Sequence, residues 1–447
     1  MKLYKNILVI VLVLSSLTAC EIGDQVDPNS PSLTGLLENA NSAQLNNLVF
    51  GTLSEMRTDL PIYFDNVGIL GREHYRFSGS DPRFISDLLG QSGGPLDNNA
   101  FYTTRNYYGR YRAIKNANIL IEAVNTTNAD ITDESKNGYL GFARTIIAHE
   151  LLMNLNVQDE NGIRTDVSDP DDLGPFVSKA EAFSFIADLL NEASNNLNAS
   201  GDAFLFNLSS GFTNFTTPQT FREFNRGLAA RVALYRGNYS EALTLLADSF
   251  LDLNGDFNNG VFYSFSTSTG DVLNQLFIGL NASGDIRAAR EEWVDEAELG
   301  DTRLSKASLR DIDNPEIGPA TQSGLSSNYD LNVFQSQTDP VTLMRNEELI
   351  LIYAEANIQE NQLTEAVNTL DIIRNAHGLA DYAGTVDQAS LINEMLKQRR
   401  YSLYFEGHRW IDLRRYDRLD ELPLDRVGDI VHERFPRPFP EVGRQGG

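Results

Sequence analysis

The stretch that decides the fold is RNEELILIYAEANIQENQLTEAVNTLDIIR, residues 345–374, which has the apolar spacing of two short helices joined by a polar turn. Ala354 lies in the first helix, and Ala366 follows it twelve residues later in the second. Small side chains at these two positions let paired helices approach closely. The segment therefore predicts a helical hairpin as a building unit of this chain.

A second helical hairpin of the same design is FREFNRGLAARVALYRGNYSEALTLLADSF, residues 221–250. Ala230 is followed twelve residues later by Ala242, and Gly237 lies at the turn. The pattern resembles a tetratricopeptide repeat, whose contiguous copies recur about every 34 residues. These two copies begin 124 residues apart, so the repeats are interrupted, and we expect binding surfaces in the insertions between them.

Helical spacing also marks three segments upstream. It predicts helices over 107–124, 139–155 and 179–197, the last with Ser178 as its N-cap. Residues 252–340 are instead rich in Asn, Asp, Ser and Gly and lack periodicity, which predicts a folded, loop-rich layer with a few short strands. The predicted fold is mainly α: an irregular tetratricopeptide-like helical scaffold, an α/α superhelix, beneath a loop-rich layer.

The N-terminal stretch MKLYKNILVIVLVLSSLTAC, residues 1–20, has the three parts of a secretory signal. A short basic region precedes an apolar core at 7–17, which is too short for the ~20-residue helix that crosses a bilayer. The core ends in Leu-Thr-Ala-Cys, which resembles a bacterial lipobox. We therefore predict a signal peptide at 1–19, a lipidated tether at 20–33 and acyl chains, such as palmitate, on Cys20. The alternative is an ordinary secretory cut beside an incidental cysteine.

Charge and cysteine content narrow the function further. Cys20 is the single cysteine in 447 residues, so an internal disulfide is impossible. The net charge of −26 repels phosphate backbones and anionic head groups, which argues against nucleic acid as a partner and against adsorption to membranes through basic patches. Membrane attachment must then come from lipid, and several acyl chains hold stably where a single chain holds only marginally.

The C-terminal third contains three distinctive blocks: LMRNEELILIYAEANI (343–358), DIIRNAHGL (371–379) and LINEMLKQRRYSLYFEGHRWIDLRRY (391–416). In this order they resemble the SusD/RagB family of outer-membrane nutrient-binding lipoproteins. The most specific part is Phe-Glu-Gly-His-Arg-Trp, within a signature that extends over 341–441. The resemblance reaches over nearly all of the mature chain, so residues 34–447 are expected to form one SusD-like helical domain.

The resemblance implies a scaffold of helical units with a ligand-binding layer over it, and no cofactor. It also implies a role as the lid partner of a TonB-dependent, SusC-like outer-membrane transporter, with a glycan, an oligosaccharide or a peptide as the nutrient ligand. Glu21 and Asp24 follow the lipidated cysteine and look like surface-export signals, so we expect an outer-membrane protein that faces the cell exterior. The alternatives are a tetratricopeptide-type assembly or adhesion lipoprotein that binds proteins only, and a lipid-anchored glycoside hydrolase.

Trp410 of the signature is either a core residue or a ligand platform, and we favour the core. The charged residues of the signature also have two interpretations. They are either catalytic carboxylates with their neighbours, or arginine–carboxylate pairs that clamp the last helices, a use that bidentate arginine geometry favours. We favour the structural interpretation, because the resemblance is to a family of binders. The set is Arg345, Glu348, Glu355, Arg374, Glu406, Gly407, Arg409, Trp410 and Asp412.

Candidate ligand contacts come from aromatic and amide side chains in predicted loops. Aromatic faces suit the apolar faces of sugars, and amides suit their hydroxyl groups. Trp293 is the most interesting, because it lies in the loop-rich layer outside the signature. For every aromatic in the set, core packing is the alternative. The set is Tyr75, Phe77, Asn98, Asn99, Phe101, Tyr102, Trp293 and Tyr329.

Motifs for hydrolysis and zinc binding are missing from the sequence. It has no Gly-x-Ser-x-Gly elbow and no His-Glu-x-x-His helix, and its five histidines are widely spaced. We therefore expect a binding protein that is not an enzyme and has no metal site. The alternative is a weak calcium site at Asp252, Asn254 and Asp256, where oxygens alternate as in an EF-hand loop but Phe257 replaces the invariant glycine.

Overall fold

The computed structural model describes residues 37, 39–91 and 93–443. The predicted signal peptide, the tether and the lipidation site Cys20 lie outside the described residues and stay predictions. Within the described ranges, no helix is both long enough and apolar enough to cross a membrane.

Helices dominate the secondary structure and pack in succession. The α-helices are α1 (Ser42–Glu55), α2 (Leu60–Leu70), α3 (Arg83–Ser86), α4 (Phe101–Thr126), α5 (Asp133–Gln158), α6 (Lys179–Asn198), α7 (Pro218–Tyr235), α8 (Tyr239–Ala247), α9 (Glu291–Asp295), α10 (Asn346–Gln359), α11 (Leu363–Ala376), α12 (Gln388–Ser402), α13 (Arg409–Arg415) and α14 (Phe439–Val442). Helices α4 to α8 each pack on the next, and α10 packs on α8 and contacts α11 and α12. This succession confirms the predicted mainly α, tetratricopeptide-like scaffold.

The strands are short and antiparallel. They are β1 (His74–Ser78), β2 (Ile163–Arg164), β3 (Phe176–Val177), β4 (Gly260–Tyr263), β5 (Asp285–Ala289), β6 (Ala307–Leu309), β7 (Ala320–Gln322), β8 (Leu325–Ser327), β9 (Tyr329–Leu331) and β10 (Val341–Arg345). One four-stranded sheet has the order β1-β5-β9-β6, and β10 pairs with β4, β2 with β3, and β7 with β8. In the larger sheet His74 lies opposite Ala289, and Ala288 lies opposite Asp330.

The two predicted helical hairpins are both present and adjoin each other. Helices α7 and α8 meet at Gly237, whose φ of 74° is the left-handed conformation that favours glycine. Ala354 and Ala366 pack in one apolar cluster between α10 and α11. Ala242 packs with Ala356 where α8 meets α10. The two copies are therefore neighbours in the stack, although they are distant in sequence.

The three helices predicted upstream are present with longer bounds than periodicity indicates. Capping side chains set helix termini, and periodicity does not register them. Thr132 caps α5 by accepting a hydrogen bond from the N–H of Ser135 at 3.2 Å. Ser178 caps α6 as predicted: its hydroxyl accepts from the N–H of Glu181 at 3.3 Å, and the Glu181 carboxylate accepts from the N–H of Ser178 at 2.9 Å. This reciprocal pair is a capping box.

Residues 252–340 form the predicted layer of short strands and turns, which contains β4 to β9. The strand β1, which precedes α4, pairs with β5 of this layer. Side chains of the layer, such as Ile286, and side chains of the helices, such as Leu45 and Phe142, belong to one apolar core. The layer and the scaffold are therefore packed together by a shared core.

Candidate functional site

Four of the predicted ligand contacts lie on or beside the four-stranded sheet. Tyr75 and Phe77 on β1 are buried and stack on each other with ring centroids 5.3 Å apart, whereas Tyr329 on β9 is half-buried. Trp293 on α9 is 1% exposed, and its ring stacks on Tyr404 with centroids 4.1 Å apart. As ligand contacts, Trp293, Tyr75 and Phe77 are wrong predictions, because their rings are enclosed by other side chains. Core packing is their role.

The other four predicted contacts lie at the N-terminal end of α4. Tyr102 is fully buried, and its hydroxyl donates a hydrogen bond to the carboxylate of Asp87 at 2.8 Å. The prediction of Tyr102 as a ligand contact is therefore also wrong. Phe101 is half-buried and packs edge-on against Phe84 with centroids 5.0 Å apart. Asn98 is half-buried and Asn99 is exposed. Of these four, only Phe101 and the two asparagines keep accessible surface.

The stretch considered as a calcium site, residues 252–258, forms a polar turn that contacts the start of α10. The carboxylates of Asp252 and Asp256 accept hydrogen bonds from the backbone N–H groups of Asn254 and Asn258, at 2.9 Å each. The side chain of Asn346 donates to the backbone oxygen of Asp252 at 2.7 Å and joins the turn to the helix. In the described part of the chain, no group of three or more His, Cys, Asp or Glu residues is arranged to hold a metal ion.

The charged residues of the C-terminal signature form ion pairs between helices. Glu348 on α10 accepts two hydrogen bonds from Arg231 on α7, at 2.6 and 2.5 Å. Asp412 on α13 accepts two from Arg399 on α12, at 2.7 and 3.2 Å. Burial alone would raise the pKa of Asp412, but the charge of Arg399 holds it at about 2. We name as the signature network the residues Arg231, Arg345, Glu348, Glu355, Arg374, Arg399, Glu406, Asp412 and Arg415.

The rest of the signature network joins other elements in the same way. Arg345, at the end of β10, pairs with Glu406 at 2.9 Å. Arg374 on α11 pairs with Glu298 of the loop-rich layer at 2.8 Å. Glu355 on α10 is buried and pairs with Arg415 on α13. These contacts use the charges to hold the last helices against their neighbours.

Gly407, Arg409 and Trp410 complete the predicted signature set. Gly407 has a φ of 83°, so only glycine fits there without strain. Trp410 is fully buried, and its indole N–H donates to the backbone oxygen of His432 at 2.9 Å. Arg409 is half-buried, and burial lowers its pKa to about 10. The structure therefore places these three residues in the packing of the C-terminal region.

A groove of about 340 Å³ opens along α4, and we name it the tyrosine groove. Residues 167, 168, 170 and 173, between β2 and β3, also line it, and so do Arg164 and Glu441, which pair with each other. None of the eight predicted ligand contacts, all of which lie in the described ranges, lines this groove. The helical wall consists of Tyr107, Tyr108, Tyr111, Lys115, Ile119 and Glu122. Their spacing puts them on one face of the helix.

Hydrogen bonds fix the part of the tyrosine groove around Arg164 and Glu441. The hydroxyl of Tyr111 donates to the backbone oxygen of Arg164 at 2.7 Å and accepts from its N–H at 3.1 Å. Glu441 is 3% exposed, and its carboxylate accepts from Arg164 Nε at 3.0 Å and from the hydroxyl of Tyr108 at 3.1 Å. Burial raises the pKa of Tyr107 and of Tyr111, so both hydroxyls stay protonated at neutral pH.

The sequence pattern does not predict this groove, although the sequence contains one indication of it, a dense group of tyrosines. Periodicity places Tyr111 on the buried face of the predicted helix and gives its ring no further role. Tyr107, Tyr108 and Tyr111 lie within five residues, which is a dense aromatic group for little more than one helical turn. Their partners Arg164 and Glu441 belong to distant segments that no spacing rule connects to the helix.

Comparison with known proteins agrees with this architecture. The model of the SusD family matches residues 263–433, which contain most of the loop-rich layer and most of the signature network. That part of the chain is similar to the SusD family. The SusD-like protein P38 of Formosa agariphila is 33% identical over 133 residues, which cover 27% of this chain. The chain spans 26% of that relative's length.

Solved structures share the SusD/RagB fold over nearly the whole chain. A SusD superfamily protein from Bacteroides vulgatus superposes with a TM-score of 0.68 at 15% identity, covering 90% of this chain and 97% of the other. Surface glycan-binding protein A from Bacteroides thetaiotaomicron, in complex with laminarihexaose, superposes with a TM-score of 0.70 at 13% identity, covering 91% and 98%. These similarities show the fold and carry no site residue across.

Proposed function

We propose that this chain is a cell-surface glycan-binding lipoprotein, anchored in the outer membrane through Cys20 and acting without catalysis. In this proposal it is the lid partner of a TonB-dependent, SusC-like transporter, and a glycan or oligosaccharide is held in the tyrosine groove. Support comes from the SusD/RagB family match, from the fold shared with a surface glycan-binding protein, and from the chemistry of the groove.

The observation that carries the proposal is the tyrosine groove. Its volume of about 340 Å³ lies within the range of about 300–1,000 Å³ that is usual for ligand sites. Tyr108 and Tyr111 are half-buried, so each ring keeps surface for the C–H face of a sugar. The hydroxyl of Tyr108 lies at the edge of this surface; it donates to the carboxylate of Glu441, and its oxygen can also accept a hydrogen bond from a glycan hydroxyl group.

Glycan binding is tested by calorimetric titration of the full-length protein, in mild detergent, with a panel of hexasaccharides. We expect at least one of them to bind and Tyr108→Ala to weaken that binding by roughly fivefold to tenfold, the loss of one stacked ring. Tyr382→Ala is the matched control, because Tyr382 is a half-buried tyrosine that does not line the groove. Equal affinity of Tyr108→Ala and wild type would place the ligand elsewhere.

The absence of catalysis is tested with the same protein. Incubation with a panel of polysaccharides should leave their chain length unchanged, as measured by chromatography of the sugars. Release of new reducing ends by the purified protein, and not by a mock purification, would contradict the proposal.

The transporter partnership is tested by extraction of membranes in mild detergent and purification through this chain. We expect a TonB-dependent barrel to co-purify and its reading frame to neighbour this one. Cys20→Ala should fold and bind the same glycan, yet leave the membrane fraction, because the acidic chain has little other affinity for the membrane. A chain that always elutes alone would contradict the partnership, and a Cys20→Ala protein that stays with the membranes would contradict the lipid anchor.

A further inference from the structure

The charges that line the tyrosine groove are balanced. Among the described lining residues, Lys115 and Arg164 carry positive charge, and Glu122 and Glu441 carry negative charge. The groove therefore has a formal charge of zero, in a protein whose net charge is −26. A site that recognises an acidic sugar is expected to offer an excess of positive charge, because the carboxylate needs a partner that replaces its water.

The positive charge nearest the tyrosines is already used within the protein. The side chain of Arg164 donates from Nε to Glu441 at 3.0 Å and from a terminal nitrogen to the backbone oxygen of Gly174. Its guanidinium also lies over the ring of Phe176, 4.7 Å from the centroid. Arg164 and Glu441 are both buried, so this pair is screened little by salt. The guanidinium is therefore committed to its partners and offers no net charge to a ligand.

The other two charges lie farther along the helix. Lys115 is about one turn beyond Tyr111, and Glu122 is about two further turns away. Both side chains are exposed, so water and salt weaken their effect on a ligand. The charge that a bound sugar meets at the tyrosines is then decided by the buried pair of Arg164 and Glu441.

We propose that the tyrosine groove takes uncharged glycan chains, and that Glu441 sets this selectivity by neutralising Arg164 beside the ring of Tyr108. This inference rests on the proposed function and names the ligand class of the same site. A neutral hexose chain loses no ionic hydration in the groove and uses ring faces and hydroxyl partners. A uronic acid chain brings a carboxylate to a place where a buried carboxylate already occupies the guanidinium.

The test compares neutral hexasaccharides (laminarihexaose, cellohexaose and mannohexaose) with hexagalacturonate, by calorimetry on the full-length protein. We expect the wild type to bind at least one neutral chain at least about tenfold more tightly than hexagalacturonate, a difference of about 1.4 kcal/mol. Glu441→Gln should strengthen hexagalacturonate binding about fivefold or more, as expected when a buried charge pair is unbalanced, and should change neutral binding less than about threefold.

Two further variants compare the removal of an exposed negative charge inside the groove with its removal outside the groove. Glu122→Gln removes an exposed charge from the groove and should favour hexagalacturonate about twofold, less than Glu441→Gln does. If Glu441→Gln melts below the assay temperature, Glu122→Gln still tests whether the charge of the groove disfavours acidic sugars. Asp188→Asn makes the same charge change on an exposed residue outside the groove, and it should leave the ratio unchanged. Equal wild-type affinity for hexagalacturonate and neutral chains, or an unchanged ratio in the groove variants, would overturn the selectivity alone. Absence of all sugar binding would overturn the proposed function with it.

Discussion

The signature network and the tyrosine groove both combine arginines and carboxylates with neighbouring aromatic rings, but they differ in what they leave for a ligand. In the signature network, Arg399 with Asp412 and Arg231 with Glu348 are buried pairs that join helices. In the tyrosine groove, one buried pair lies beside tyrosine rings that keep open surface. The segment that resembles the SusD family is therefore packed scaffold, and the surface suited to a ligand is formed by residues that no motif marks.

Trp293→Ala gives the largest expected effect on the scaffold side of this comparison. Removal of a fully buried indole should lower the free energy of unfolding by about 3–5 kcal/mol. Chemical denaturation measures this loss, and calorimetry well below the melting temperature should show unchanged glycan affinity. Trp293→Phe, which keeps a ring against Tyr404, should lose less. Unchanged stability with lost affinity would return Trp293 to the ligand site.

Glu348→Ala breaks the signature network itself. The substitution leaves the buried charge of Arg231 without its partner, which should destabilise the fold by about 3–5 kcal/mol. The matched control is Glu421→Ala, which removes the partner of Arg418 in a partly exposed pair and should change stability by about 0–1 kcal/mol. Urea denaturation of both variants measures the difference. Equal losses would show that burial does not distinguish the signature network from surface pairs.

The buried carboxyl group of Glu73, which contacts the signature segment, should make the free energy of unfolding depend on pH. It is buried, accepts a hydrogen bond from the N–H of Phe405 at 3.3 Å, and burial raises its pKa to about 8 from an ordinary value of 4.5. Because the pKa of Glu73 is higher in the folded state than in the unfolded chain, its contribution to stability is fully present below pH 4.5. That contribution is lost as the pH rises through 8. The slope is at most about 1.4 kcal/mol per pH unit for one group.

Glu73→Gln isolates this contribution. The neutral amide resembles the protonated acid, so the decline of unfolding free energy between pH 4.5 and 8 should be shallower in the variant than in the wild type. Urea denaturation at a series of pH values measures both slopes. Glu150, whose pKa burial raises to about 7, contributes equally to both proteins and cancels in the difference. Identical slopes would contradict the assignment to Glu73.

Tyr111→Phe gives the smallest expected effect and sharpens the groove side of the comparison. It removes the hydroxyl that bonds the backbone of Arg164, which should lower stability by about 0.5–1.5 kcal/mol. Because the ring remains, glycan affinity should fall only a few-fold through a less fixed groove wall. Calorimetry and denaturation together measure this. A tenfold loss of affinity would instead show that the hydroxyl contacts the glycan.

The sequence predicts the scaffold well because the information for it is local. Apolar periodicity defines α4, α5 and α6, the paired alanines define the two helical hairpins, and Ser178 marks a helix start. Each of these features depends on residues within a few turns of one another. The lack of periodicity in residues 252–340 predicts their loop-rich character for the same reason.

The candidate site is predicted poorly, because it depends on how distant segments meet. Trp293 lies in the polar stretch EEWVDE, where nothing local distinguishes an exposed ring from a buried one. Its burial is decided by Tyr401 on α12 and by Tyr404 in the turn after that helix, whose rings both pack against the indole. The hydroxyl of Tyr401 also donates a hydrogen bond to the backbone oxygen of Trp293. The error for Tyr75 and Phe77 has the same origin, since residues distant in sequence surround them, such as Arg290, whose guanidinium lies over the ring of Tyr75.

The amino-acid sequence is enough to predict the helical units, the loop-rich layer and the resemblance to the SusD/RagB family. These follow from side-chain spacing and from contiguous motifs, which act over short separations along the chain. Only the tertiary structure decided which aromatic rings stay open and which charges are neutralised. Tyr108, Arg164 and Glu441 form one site because three separate elements pack together there, and the spacing of residues along the chain does not encode that approach.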